Sequence, residues 1–97
     1  MNKPYEIFPY TFEKAEYYNV TVKPSTNKHK KIDVYNASGI KIAECGGKNY
    51  LDFPHYLKLE QAGEYPKGYA YERKRLYKIR HKYDKLPAGI WANRLLW

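Results

Sequence analysis

The chain has 97 residues and a formal net charge of +8, with aromatic residues making up 18% of the sequence. A chain of this length forms one domain with one modest core, which excludes a cofactor-binding domain beside a separate substrate domain. No apolar run is long enough to cross a bilayer, and the N-terminus lacks the apolar core of a signal peptide. The single cysteine, Cys45, excludes an internal disulfide. We therefore expect a small protein that is not secreted through a signal peptide and does not associate with membranes.

Residues 1–16 place Pro4 and Pro9 among aromatic side chains, which predicts an extended arm in front of a single small α+β domain over residues 17–97. These aromatic side chains are too apolar to remain in water, so the arm must pack on its own domain or on a neighbour. We expect it to make protein–protein contacts through Tyr5, Phe8, Tyr10 and Phe12.

The sheet is predicted from two patterns. Residues 18–23 alternate and are β-branched, which indicates a strand, and a polar basic loop follows over residues 24–31. Residues 32–35 and 40–43 are two short alternating runs joined by a turn, which is typical of a β-hairpin. In that hairpin, Ile32 and Val34 share one face with Ile40 and Ile42. The sequence therefore predicts a small β-hairpin or a three-stranded antiparallel sheet.

Two or three short helices are predicted to follow the sheet. Asp52 as a cap and Pro54 in the first turn indicate a helix over residues 53–62, although a strand over residues 56–59 is an alternative. Residues 69–83 form the strongest helical pattern, with an apolar stripe of Tyr69, Leu76, Ile79 and Tyr83. A break at residues 87–89 precedes a final helix or turn. Its Trp91 and Trp97 must be buried in the core or against a partner protein.

Nearly all of the excess positive charge lies in the last third of the chain. Residues 65–97 contain nine Lys and Arg residues against Glu72 and Asp84, a net charge of +7. Such a concentration favours nucleic acid or another polyanion, although a solvated outer helix face has the same composition. Tyr71 and Tyr77 are available to stack on exposed bases. The predicted polyanion contacts are Arg73, Lys74, Arg75, Lys78, Arg80, His81, Lys82 and Lys85.

Sites for chemistry are not evident in the sequence. His29, His55, His81 and Cys45 lie on four different segments, without the close spacing of a zinc site. Gly46-Gly47-Lys48 lacks the spacing of a phosphate loop. Tyr77 between Arg73 and Arg80 has the composition of a tyrosine nucleophile with arginine clamps, but one tyrosine among twelve carries little information. We expect no metal, no cofactor and no enzymatic activity.

The segments YERKRLYKIRH (residues 71–81) and PAGIWANRLLW (residues 87–97), together with KNYLDF (residues 48–53), resemble a small uncharacterised family of bacteriophages and large DNA viruses. Its members combine a short β-hairpin with an E-R-x-x-x-Y-x-x-R-H helix and a W-x-x-x-L-L-W ending. The resemblance covers about residues 31–97 and does not include the Tyr-rich N-terminal arm. It implies a viral origin and a place in the virion or with the viral genome.

Together these features predict a non-enzymatic viral accessory protein, located in the virion or the host cytoplasm. In the first hypothesis it is a small capsid-associated component in an oligomeric context. Its arm and tryptophans contact other virion proteins, and its basic helix contacts DNA, RNA or an acidic capsid surface. In the alternative it is a soluble nucleic-acid-binding factor of the infected cell.

Overall fold

The computed structural model describes residues 5–97, which form four helices and three strands. The elements are α1 (Pro9–Tyr17), β1 (Thr21–Pro24), β2 (Lys30–Tyr35), β3 (Lys41–Gly47), α2 (Phe53–Gln61), α3 (Tyr69–Arg80) and α4 (Pro87–Leu96). The strands form one antiparallel sheet in the order β1-β2-β3. The α+β prediction is confirmed, with the three-stranded form of the sheet and three helices after it.

Residues 9–16 of the predicted extended arm instead belong to helix α1, and residues 5–8 have no regular secondary structure. Pro9 occupies the first helical position, where its fixed φ fits a helix and its missing N–H costs no hydrogen bond. The Thr11 hydroxyl donates a hydrogen bond of 2.9 Å to the Leu95 carbonyl, and Tyr10 donates one of 2.8 Å to the backbone oxygen of Trp97. Helix α1 crosses the predicted division between an arm (residues 1–16) and a domain (residues 17–97), so the described residues 9–16 pack as part of the domain. Residues 1–4 lie outside the described residues.

The hairpin exists, but its buried partners differ from those predicted. Ile32 pairs with Cys45 and Val34 pairs with Ala43, and all four side chains are buried. Ile40 precedes β3 and is 61% exposed, so its predicted place on the core face is wrong. An irregularity between Val34 and Tyr35 shifts the register at the turn end of the hairpin.

Asp52 caps α2 as predicted, since its carboxylate accepts a hydrogen bond of 3.2 Å from the His55 backbone N–H. The alternative strand over residues 56–59 is wrong. The same buried carboxylate lies 3.0 Å from Lys31 Nζ on β2, accepts a 2.5 Å hydrogen bond from Tyr5 and lies 2.7 Å from His55 Nδ1. Asp52 therefore joins α2 to the sheet and to the N-terminal segment.

Helix α3 turns a different face to the core from the predicted one. It ends at Arg80, and Leu76, Ile79 and Tyr83 are 37%, 60% and 80% exposed. The inward positions recur every three or four residues and are Ala70, Arg73, Lys74, Tyr77 and Lys78. Two of these cations lie over rings. Lys74 Nζ is 4.6 Å from the centre of the Phe53 ring, and the Arg73 guanidinium is 5.6 Å from that of Tyr56. The buried face of α3 is therefore built partly from long basic side chains that lie over aromatic rings, and not from the expected apolar stripe.

Helix α4 supplies much of the core. Leu95, Leu96 and Trp97 are buried against β3 and α1, together with Ile32 and Val34 of the central strand. Residues 87–89, predicted as a break, form the first turn of α4, and α3 has already ended at Arg80. None of the helices within residues 5–97 has both the length and the apolar character that a bilayer crossing requires.

The orientation of α3 predicts unequal costs for two leucine truncations. Leu95→Ala empties a fully buried position and is expected to lower the free energy of unfolding by about 2–5 kcal/mol. Leu76→Ala removes a partly exposed side chain and is expected to cost at most about 1 kcal/mol. Urea denaturation followed by tryptophan fluorescence measures both. Equal losses would mean that α3 buries the face that the sequence pattern suggested.

Candidate nucleic-acid interface

The basic residues of α3 divide between two flanks of the helix. Arg73, Arg80 and His81 border a concave surface between α2, α4 and the end of β3. Lys74 and Lys78 point to the other flank, toward α1, α2 and α4. The predicted polyanion contacts therefore do not form one continuous surface.

The first flank contains the basic pocket, a cavity of about 420 Å³, which is a size typical of small-ligand sites. Four basic residues line it, and no Asp or Glu within residues 5–97 does. The remaining side chains are four aromatic rings and four small or branched apolar groups. The lining residues are Lys31, Arg73, Arg80 and His81; Tyr50, Tyr56, Tyr77 and Trp97; Leu51, Leu76, Ala92 and Leu96; and the backbone of Gly46 and Gly47.

One wall of the basic pocket is a stack of three rings. Tyr77 lies face to face with Trp97, with ring centres 4.2 Å apart and planes 7° apart. His81 also stacks on Tyr77, with ring centres 4.1 Å apart, and its Nδ1 lies 2.8 Å from Asp84 Oδ2. Burial raises the pKa of Tyr77 to about 12, so its hydroxyl is protonated at neutral pH. Because Tyr77 is stacked on both neighbours, the wall presents ring edges and the Tyr77 hydroxyl beside the cations.

Arg73 has an unusual environment in this pocket. Its Nε atom is buried and has no hydrogen-bond partner within residues 5–97. Its guanidinium lies over the Tyr56 ring, and no carboxylate of the described residues pairs with it. By contrast, the positive charge of Lys31 is balanced by Asp52 at 3.0 Å. Within the described part of the chain, Arg73 and Arg80 are therefore the uncompensated charges of the pocket.

Two glycines shape the strand side of the pocket. A Cβ atom on Gly46 would lie 2.7 Å from Leu96 and 3.0 Å from the Lys31 side chain, and Gly46 has a φ of +83°. A Cβ atom on Gly47 would lie 2.8 Å from the Tyr50 ring. The Tyr50 ring thus rests on bare backbone, while the side chain is 76% exposed. This arrangement presents an aromatic ring at the edge of the pocket.

A second concave surface adjoins the first across Gly47 and Tyr50, which line both. Its other lining residues are Lys28, His29, Lys48 and Asn49, again without a carboxylate from the residues that the structure describes. The loop before β2 and the turn after β3 meet here because the strands are antiparallel. Lys30 pairs with Gly47, and the Lys48 N–H donates a hydrogen bond of 3.2 Å to the His29 carbonyl. We call the two surfaces together the basic groove.

Four cations of the basic groove have no ion-pair partner within residues 5–97. They are Lys28, Lys48, Arg73 and Arg80. Uncompensated cations in a concave surface concentrate positive potential, which favours an anionic ligand.

The opposite flank of α3 is also basic but is occupied by the protein itself. Lys78 donates a hydrogen bond of 2.8 Å to Asn93 Oδ1, and Lys74 lies over Phe53. Burial lowers the pKa of Lys74, and the charge of Lys14 adds to this effect. Burial also lowers the pKa of Lys78, together with the charges of Lys74 and Lys14. These two lysines, predicted as polyanion contacts, lie in the packing between α3 and its neighbours and not in the groove.

The remaining predicted polyanion contacts lie outside the groove. Arg75 is paired with Glu72 on the outer face of α3, at 2.5 Å. Lys82 lies over the Tyr83 ring, and Lys85 is exposed in the connection to α4. Of the eight residues predicted, Arg73, Arg80 and His81 line the groove.

The predicted protein contacts are mostly satisfied within the domain. Tyr5 and Tyr10 donate hydrogen bonds to Asp52 and to the backbone of Trp97, and Trp97 is 8% exposed. Phe8 stacks on His55, with ring centres 4.3 Å apart. Trp91 is half-buried and contacts the Tyr18 ring and Arg94. Phe12 remains exposed. Apart from Phe12, these side chains therefore pack at least in part on their own domain, which is one of the two possibilities that the sequence left open.

The sequence does not reveal the part of the groove that lies beside the start of β2 and the end of β3. Lys28, His29, Lys48 and Tyr50 are separated along the chain and form no recognisable motif. The available signal was the hairpin, because antiparallel pairing places the residues before β2 next to those after β3.

Groups that commonly carry chemistry are either buried or dispersed. Burial raises the pKa of the Cys45 thiol to about 12, so it remains protonated at neutral pH. Within residues 5–97, no three His, Cys, Asp or Glu side chains come together in a way that holds a metal ion. The lining of the groove combines positive charge, rings and hydrogen-bond donors.

Comparison with protein-family models, with curated proteins and with solved structures finds no match to this chain.

Proposed function

We propose that the protein binds single-stranded nucleic acid along the basic groove and catalyses no reaction. The observation that carries this proposal is the joined lining of the two concave surfaces. Seven basic residues face them, and no carboxylate of residues 5–97 does. Since phosphate backbones are bound mainly by Lys and Arg side chains, a polyanion is the ligand class that this lining favours.

The aromatic side chains of the groove support nucleic acid over an acidic protein surface. Tyr50 stands exposed between Lys48 and the basic pocket, and the rings of Tyr77 and Trp97 line the pocket wall. Alternation of cations with flat rings suits a ligand that alternates phosphates with bases. An acidic peptide would use the cations and leave the rings without partners.

The shape of the surface supports a single strand over a duplex. Readout of a duplex commonly requires a helix that presents polar side chains to the major groove. The outer face of α3 instead carries the Arg75–Glu72 pair and the apolar Ile79. In the groove, a base reaches Tyr50 only when it is not stacked inside a duplex.

Fluorescence anisotropy with labelled oligothymidylate that lacks a terminal phosphate tests the proposal. We expect binding that weakens with salt, with a log–log slope of about −0.7 per phosphate neutralised, or about −3 for the four unpaired cations. The matched duplex and polyglutamate should bind more weakly at the same salt concentration. A duplex that binds as well as the single strand, or affinity that does not change with salt, would contradict the proposal.

A second proposal keeps the virion role that the sequence resemblance implies. It is supported by three exposed apolar side chains near the end of α3, those of Ile79, Tyr83 and Leu86. These residues, rather than the N-terminal segment, are the proposed contact with other virion proteins. Mass spectrometry of purified, salt-washed particles tests this role, and a protein absent from the particles would remove it.

A further inference from the structure

Arg73 of the basic pocket has neither a hydrogen-bond acceptor for its Nε nor an ion-pair partner within residues 5–97. Its buried Nε lacks a hydrogen-bond acceptor among the described residues, and a buried donor without an acceptor is costly to the folded state. Native structures retain such groups rarely, and each one requires a reason. The Nε itself is closed to a ligand, but Arg73 lines the open pocket and no described residue supplies a counter-charge for its guanidinium. An anion bound in the pocket would supply that counter-charge.

The surroundings of Arg73 define the acceptor. No carboxylate from residues 5–97 lines the pocket, and Lys31, the buried cation of the lining, is balanced by Asp52. An arginine guanidinium binds two oxygens of a phosphate at once, and such charge-assisted bonds are short and strong. The missing partner of Arg73 is therefore an anion with several oxygens, and a phosphate group meets this requirement.

The positions along α3 suggest how much of the ligand the pocket holds. Arg73 and Arg80 are seven residues apart, so they lie on the same side of the helix and about 10 Å apart along its axis. The rings of Tyr77 and Trp97 lie along this side of the pocket. The buried Ala92 and Leu96 also line the pocket, whose volume of about 420 Å³ is that of a small-ligand site.

We infer that the basic pocket binds one nucleoside monophosphate unit, with its terminal phosphate on Arg73 and its base against the ring wall. The inference rests on the proposed function, since it assigns the end of the bound strand to this pocket. A free nucleotide carries the same phosphate monoester, and the experiment separates the two sources.

Thermal unfolding with small ligands tests the phosphate site. Adenosine 5′-monophosphate should raise the melting temperature more than inorganic phosphate does, and adenosine should have little effect. Arg73→Met keeps the apolar stem and removes the guanidinium, so the unliganded variant should melt at or above the wild-type temperature and lose the response to the nucleotide. Arg75→Met is the matched control, because Arg75 is paired with Glu72 outside the pocket. A nucleotide response that survives in Arg73→Met, or that adenosine reproduces, would overturn the inference.

Oligonucleotides with and without a 5′-phosphate separate this inference from the proposed function. The wild-type protein should bind the phosphorylated strand at least about tenfold more tightly, and Arg73→Met should show no preference. Equal binding of the two strands by the wild-type protein would overturn the terminal-phosphate site and leave single-strand binding standing. Failure to bind either strand, with a retained response to adenosine 5′-monophosphate, would overturn the proposed function and identify the pocket as a site for free nucleotides.

Discussion

Replacement of Asp52 with Asn is expected to lower the free energy of unfolding by about 3–5 kcal/mol, which is the usual cost of leaving a buried charge without its partner. Lys31 and Asp52 are both buried, 3.0 Å apart. Asn retains the capping oxygen for α2 but removes the charge that balances Lys31. Urea denaturation at neutral pH measures the loss.

Two companion variants make this result specific. Glu72→Gln breaks an exposed ion pair and should leave stability within experimental error. Lys31→Met combined with Asp52→Asn should recover part of the loss, because no unbalanced charge then remains. If Asp52→Asn costs no more than Glu72→Gln, the pair does not hold α2 to the sheet.

The ionisation of Asp52 should also make the free energy of unfolding depend on pH. Burial alone would raise the pKa of Asp52, but the hydrogen bond from His55 and the charge of Lys31 outweigh it and hold the pKa below its usual range. A lowered folded-state pKa means that the stabilisation is complete above the ordinary aspartate pKa of about 4 and is lost as the pH falls through the folded-state value. The difference in stability between the wild-type protein and Asp52→Asn should therefore shrink at acid pH.

Charge reversal in the groove, with Lys48→Glu and Arg80→Glu together, is expected to weaken binding of single-stranded oligothymidylate by at least about a hundredfold. Each change removes a charge-assisted bond to phosphate and adds repulsion, and each bond of this kind contributes about tenfold or more. The magnitude of the salt slope should also fall by about 0.7 for each phosphate that the variant no longer neutralises.

The matched control for this pair is Lys82→Glu with Lys85→Glu, which changes the net charge of the protein by the same amount outside the groove. Anisotropy titrations of both double variants at one salt concentration give the comparison. The control should retain most of the affinity. Equal losses of affinity in the two double variants would mean that binding depends on the net charge of the protein and not on the groove.

The hairpin and the start of α2 were predictable because their signals are local. Turn residues between two alternating runs, and an aspartate two residues before a proline, act within a few residues of one another. Helix α1 was missed for a related reason. Pro4 and Pro9 suggest an extended segment, but a proline at the first position of a helix is equally well accommodated, and the choice depends on packing against α4.

The sequence pattern predicts the wrong buried face of α3 because charge is a poor guide to exposure on this helix. Lys74 and Arg73 place their stems and cationic heads on the rings of Phe53 and Tyr56, so a face with two cations is covered while Ile79 is exposed. A periodicity analysis that counts basic residues as polar cannot identify this arrangement. The groove depends on it, because turning α3 in this way brings Arg73 into the pocket.

The contacts between α1 and the end of α4 bear on how the protein is made. The hydrogen bonds from Thr11 and Tyr10 connect residues separated by 84 and 87 positions, and Leu95 and Leu96 are central to the core. During synthesis, the first helix therefore leaves the ribosome long before its partner exists, and its apolar side has nothing native to cover. Closing so long a loop is also slow. The nascent chain should thus remain vulnerable to proteases, and attractive to chaperones, until Trp97 has cleared the exit tunnel.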